Sequence, residues 1–254
     1  MTAVWIGFLV AGATAATGVG GSLLAVPLLI LLCAVPAKVA VGTAAVFSTL
    51  VRIVLMLERG RKSQIDWDAT LRMLAGAVPA MLAATWLLVR IGAADARWVS
   101  LLLVGLTIFN ASLFHLACPR LAAKFSGVER RRWLGWLSVP IGVQMGFSAA
   151  GAGALGTLLL LSCTRLETTL VVGTVIAFGL GLSALASVFH LLAGHCDLDL
   201  LTQLLLGGMA GSAVGVWLAV RVPSRQLRVA VLLLLALVGV RLCWEGVRSA
   251  WWLR

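Results

Sequence analysis

The fold class predicted for this 254-residue chain is all-α: a polytopic membrane protein of two pseudo-symmetric repeats. Three observations lead there. Hydrophobic residues make up 61% of the chain and charged ones 11%, against about 25% charged residues in soluble domains. Apolar stretches run over 3–33, 39–57, 69–90, 97–117, 133–162, 169–193, 200–221 and 227–247, and most supply the roughly 20 residues a helix needs to cross a bilayer. Finally, Val41-Gly42-Thr43 returns as Val172-Gly173-Thr174, 131 residues on, and the same offset carries Gly20 to Gly151, Asp66 to Asp197, Asp68 to Asp199, Gly76 to Gly207, Trp86-Leu87 to Trp217-Leu218, Arg90 to Arg221 and Arg97 to Arg228. Helices are the expected element because they satisfy their own backbone polar groups in lipid. An ungapped match of this kind marks two copies of one structural unit.

The division is repeat one at 1–117, a basic linker at 118–132 and repeat two at 133–254. Each copy is read as a glycine-broken segment, open to being re-entrant, followed by three transmembrane helices. The first segment breaks at Thr17-Gly18-Val19-Gly20-Gly21-Ser22, because each glycine costs on the order of 1 kcal/mol inside a helix. A new helix is expected to start at Ser22, whose hydroxyl suits an N-cap, and Pro27 would bend it. Copy two has Ser148-Ala149-Ala150-Gly151-Ala152-Gly153 at the same place. Further along, Gly207, Gly211 and Gly215 fall four apart on one helical face, opposite Gly76, Ala80 and Ala84 in copy one, which is close-packing chemistry in lipid.

Loop charge bears on orientation. The linker holds Arg120, Lys124, Arg130, Arg131 and Arg132, which places it in the cytoplasm. The turn of copy one carries Arg59, Arg61 and Lys62, whereas its counterpart holds His190, His195, Asp197 and Asp199 and no lysine or arginine. Opposite charge at equivalent loops favours inverted over parallel repeats.

Other classes are disfavoured. A net charge of +11 would suggest nucleic acid in a soluble protein, but here the arginines sit between apolar stretches, where they contact lipid headgroups instead. Met1 to Trp5 lack the positive region of a signal peptide, so the first segment is expected to remain in the mature protein. The five cysteines are scattered and without a C-x-x-C pair, and His190, His195, Cys196 and Asp197 lack a metal spacing; neither metal nor cofactor is expected. Gly151-x-Gly153-x-x-Gly156 matches a dinucleotide fingerprint by letters only, since no strand precedes it. No nucleophile-base pair marks an enzyme, although a membrane-embedded enzyme and a non-transporting sensor or scaffold subunit stay as alternatives.

Unwound backbone at membrane depth must be buried in protein or line a water-filled cavity. A helix restarting there aims free N–H groups and a positive dipole end at that cavity, so an anion can be held without a buried lysine. Glycine-rich Gly18-Val19-Gly20-Gly21-Ser22-Leu23-Leu24-Ala25-Val26-Pro27, then Ala40-Val41-Gly42-Thr43, then Ile65-Asp66-Trp67, each echoed in the second copy, resemble the TauE/SafE sulfite exporter family, also called the 4-toluene sulfonate uptake permease family. The resemblance covers essentially the whole chain. It implies a bacterial inner-membrane, multi-pass transporter of sulfite, sulfonates or related sulfur-containing anions. Copy two departs from the pattern with Leu158 in place of Pro27 and Ala152 in place of Gly21.

The substrate site is therefore expected between the repeats at mid-depth, from Thr17, Gly18, Gly20, Gly21, Ser22 and Thr43 of copy one and Gln144, Ser148, Gly151, Gly153 and Thr174 of copy two. Hydroxyls and amides donate hydrogen bonds to such an anion without fixing a charge in lipid. Each hydroxyl has the alternative of bonding its own helix carbonyl. Arg52 is the one basic residue well inside an apolar stretch, where it can pair with the anion; it lies close to the end of its helix, so snorkelling to headgroups is the favoured alternative. All nine carboxylates fall at segment ends or in loops, leaving no proton relay, yet an anion leaving a negative-inside cell gains about 2.3 kcal/mol per charge per 100 mV. Export is the expected direction, and a homodimer is left open.

Overall fold

Helices supply all the regular secondary structure among the described residues of the computed structural model, which are 2–17, 22–59, 65–93, 104–106, 131–149, 152–164, 166–221 and 224–251. In chain order they are α1 (Thr2–Thr17), α2 (Ser22–Cys33), α3 (Ala37–Arg59), α4 (Trp67–Ala93), a short 3₁₀ turn (Arg131–Trp133), α5 (Leu134–Ser148), α6 (Ala152–Cys163), α7 (Thr168–Leu192), α8 (Leu198–Arg221) and α9 (Ser224–Trp251). Apolar spans long enough to cross a membrane lie in α3 (Ala37–Val54), α4 (Trp67–Arg90) and α7 (Leu170–Leu192). The apolar stretch expected at 97–117 lies almost entirely outside the described residues.

The 3–33 stretch is two helices. The Thr2 hydroxyl and the Cys33 thiol lie 3.6 Å apart, so the start of α1 meets the end of α2 and the segment folds back on itself. At about 24 Å and 18 Å, helices of these lengths suit a re-entrant hairpin.

Three helix pairs hold the bundle. α1 runs parallel to α8: a Cβ on Gly7 would strike the Leu204 backbone, and one on Gly12 would press on the Gly211 carbonyl. α4 runs parallel to α5, with Gly142 against Ala77 and Gly146 against Met81. α3 and α7 run antiparallel through the centre, where Gly42 touches His190, Thr49 bonds Ser187 at 2.8 Å, and Arg52 meets Gly179. Absent side chains let these backbones touch, which is how helices associate where lipid gives no hydrophobic drive. The stripe read from sequence does this: Gly207 and Gly211 seat on Val4 and Phe8 of α1.

Several contacts occur twice at positions 131 apart. A Cβ on Gly76 would fall on the Gly135 carbonyl, and one on Gly207 on the Val4 carbonyl. Asp66 N–H donates to Thr174 Oγ1 at 3.0 Å, and Asp197 N–H to Thr43 Oγ1 at 3.1 Å. The distribution of polarity is inside-out relative to a soluble protein. Thr43, Ser48, Ser138, Gln144, Ser148, Thr174, Ser183 and His190 are buried, while Trp5, Trp136, Leu192, Leu206 and Leu237 face outward as a lipid-exposed surface would.

Candidate substrate site

Glycine and alanine runs end two helices at equivalent places. α1 closes at Thr17 and α5 at Ser148, 131 residues apart; α2 then opens at Ser22 and α6 at Ala152. In copy two the stop is explicit. Ala149 takes left-handed dihedrals (φ 53, ψ 20), and its N–H turns back to the Met145 carbonyl at 2.8 Å. A left-handed L-residue costs on the order of 1–2 kcal/mol, and copy one has Gly18 at the matching position. Ala149→Gly is expected to stabilise the folded protein by about 1 kcal/mol, read as a higher unfolding midpoint in detergent.

An anion needs donors, so the question for each candidate is whether its protons are already spent. The Ser148 hydroxyl donates to the Gln144 carbonyl at 2.8 Å, and Thr157 donates to the Gly153 carbonyl at 2.8 Å; these are the helix-internal alternatives foreseen for hydroxyls. Gln144 differs, because its side-chain amide nitrogen is buried without a hydrogen-bond partner among the described residues. Gly153 opens into space: a Cβ there would meet no described atom within 4 Å. Gly18, Gly20, Gly21 and Gly151, with the side chains of Thr17 and Ser22, lie outside the described residues.

Thr43 and Thr174 are fully buried, but each hydroxyl oxygen accepts the backbone N–H of the aspartate turn from the other half. Those aspartates then cap the helices that follow. Asp66 Oδ1 accepts from Ala69 N–H at 3.0 Å at the start of α4, and Asp197 Oδ1 accepts from Asp199 and Leu200 N–H, both at 3.0 Å, at the start of α8. Arg131, the last but one linker arginine, forms an ion pair with Asp66 and lies 3.6 Å from Asp68. These cross-links were not foreseen, although the retention of Thr43 and Asp66 together at the 131 offset carried the signal.

Beside Thr43, the His190 and His195 rings meet edge to face with centroids 6.1 Å apart. Burial, then the nearby Lys38 ammonium, holds His195 below its ordinary range; burial, reinforced by Asp197, pushes the Cys196 thiol up despite a hydrogen bond with Thr43. Both effects favour neutral groups at this turn. Among the described residues no cluster of three or more His, Cys, Asp or Glu side chains could hold a metal ion.

Arg52 departs from expectation. Its guanidinium occupies the space a Gly179 side chain would fill, inside the α3–α7 pair, so it does not snorkel. Antiparallel packing explains why: a residue near the end of the α3 span lies opposite the interior of the α7 span, Leu170–Leu192.

Comparison with known proteins fits this architecture. The family model described as sulfite exporter TauE/SafE matches residues 3–242. A Bacillus subtilis (strain 168) protein described as "Probable membrane transporter protein YjnA" is 25% identical over 249 residues, covering 94% of this chain and 98% of that protein. No solved structure matches.

Proposed function

This chain belongs to the TauE/SafE sulfite exporter family and is a membrane transporter; from that premise we propose a secondary carrier that exports a small sulfur-containing anion, such as sulfite, a sulfonate or sulfoacetate, across a bacterial inner membrane. The carrying observation is the pair of helix ends at Thr17 and Ser148 with restarts at Ser22 and Ala152. A helix that restarts at membrane depth leaves its first N–H groups unbonded within the helix, a polarity suited to an anion. The site combines these ends with Gln144, whose amide donor is unspent, and with Gly20, Gly21, Gly151 and Gly153; Thr43 and Thr174, about 24 Å apart along α7 and each accepting a backbone N–H, fall outside it.

Alternating exposure follows from an inverted pair of repeats. Supporting it, α3 and α7 occupy equivalent places in the two copies yet run antiparallel, as inversion requires. Each hairpin also packs on the opposite half, α1 on α8 and α5 on α4. One hairpin and its partner helix would then rock against the α3–α7 pair, opening the shared site to either side.

Counterflow of labelled sulfite in sealed proteoliposomes, set beside sulfoacetate, arylsulfonates and sulfate, tests the reading. Exchange of label is expected, and Gly20→Leu should abolish it in protein that still elutes as a folded species. A wild-type protein that exchanges none of these anions overturns it in favour of a sensor or scaffold, and undiminished flux in Gly20→Leu removes the helix break from the site.

A further inference from the structure

We infer that Arg52 is the charge partner of the transported oxyanion, held near mid-depth on the bare backbone of Gly179. This deepens the carrier reading above, which rests on helix ends and neutral donors, by adding one fixed positive charge.

Depth comes first. Gly42 of α3 touches His190 of α7, and Arg52 touches Gly179. Ten residues along one helix and eleven along the other put Arg52 about 15–17 Å from the His190 end. Gly179 stands nine residues from Leu170, the opposite end of the α7 span, which is about 14 Å more. Along the α7 span, in a hydrocarbon core about 30 Å thick, this puts the guanidinium close to the middle, while the apolar span of α3 itself ends two residues on, at Val54.

Its surroundings come second. Arginine does not lose its proton in a protein, so this is a fixed charge. No carboxylate pairs with it among the described residues: the ion pairs found there join Arg72 to Asp68, Arg131 to Asp66 and Asp68, and Arg241 to Glu245. An arginine in that position is costly to insert and marks an ion pathway when nothing in the protein neutralises it. Besides His190, Thr43 and Thr174, the polar side chains described along this pair include the hydroxyls of Ser48 and Thr49 from α3 and of Ser183 and Ser187 from α7. Thr49 lies 2.8 Å from Ser187, which in turn donates to the Ser183 carbonyl at 2.7 Å. These are neutral dipoles and give no counter-charge.

Recognition comes third. The planar guanidinium fork matches two oxygens of one sulfite or sulfonate group, a geometry lysine cannot reproduce. Gly179 is what lets the fork lie in the helix pair, since any Cβ there would collide with it.

The test uses the full-length protein. Thermal unfolding in detergent is followed against sulfite, sulfate, phosphate and chloride for wild type, Arg52→Gln and Arg52→Lys, and sulfite KM is measured by counterflow for those that reconstitute. Wild type is expected to be protected by an oxyanion, sulfite above chloride. Arg52→Gln should lose that protection and show a KM about 10- to 100-fold higher, whereas Arg52→Lys keeps charge without the fork and falls between. Protection that persists in Arg52→Gln, or that is absent from every anion in wild type, overturns the assignment. The protection assay stands without flux, so a protein that binds sulfite through Arg52 but exchanges no label would sink the carrier reading alone. Should Arg52→Gln not fold, Arg52→Lys decides: equal sulfite protection to wild type sinks the fork.

Discussion

Valine in place of Gly76 or Gly207 is expected to leave no folded protein. A Cβ at Gly76 would lie on the Gly135 carbonyl and one at Gly207 on the Val4 carbonyl, backbone atoms that no rotamer change can move aside. The helices of each pair must separate along their length, and the loss extends to the neighbouring contacts of Gly142, Gly146 and Gly211. Overpacking of well-packed sites costs about 1–3 kcal/mol where side chains can shift; here they cannot, so about 3 kcal/mol or more is expected. Yield after detergent extraction and elution as a single species measure it. Gly153→Ala is the internal control, since that Cβ would enter open space, and wild-type yield is expected from it. A well-folded Gly207→Val would mean that α1 and α8 do not pack as described.

Much of this architecture is written in residue types. Apolar composition and lipid dictate helices, glycine and alanine runs place the ends at Thr17 and Ser148, and α2 reopens at Ser22, directly after the glycine run. Which helix meets which is another matter. Periodicity along a helix describes its own faces, whereas the pairing of α1 with α8 and α4 with α5 joins segments far apart in sequence. The glycine stripe at Gly207 and Gly211 named the close-packed face of α8 without naming Val4 and Phe8 as what it receives. Arg52 shows the same limit: its distance from a helix end predicts snorkelling, and only the offset of an antiparallel neighbour puts Gly179 beneath it. Of the candidate site residues, Gln144 keeps a buried amide donor without a partner among the described residues. Ser148 has its proton on its own helix, a choice that hydroxyl chemistry leaves open until the backbone is in place.

Thr43→Val combined with Thr174→Val is expected to remove about 2–6 kcal/mol of stability, because each hydroxyl is the acceptor for a backbone N–H, of Asp197 and Asp66 respectively. Each change leaves one N–H without its partner, at about 1–3 kcal/mol. The loss also loosens a helix start, since the same aspartates cap α8 and α4 through their carboxylates. The two sites should act independently. Thr43 lies beside the His190 end of α7 and Thr174 sits sixteen residues earlier on that helix, a separation of about 24 Å, well beyond the 7–10 Å within which substitutions couple. Denaturation of the two singles and the double in the same detergent checks this, and the double should equal the sum of the singles within about 0.5 kcal/mol. Serine at either position keeps the oxygen and should restore most of the stability, which separates the hydrogen bond from the packing of the methyl group. If both singles unfold at the wild-type midpoint, the reciprocal bonds do not hold the halves together. If the double loses far more than the sum, the two aspartate turns communicate through the α3–α7 pair, and the rigid central pair assumed for a rocking carrier would give way to one that bends.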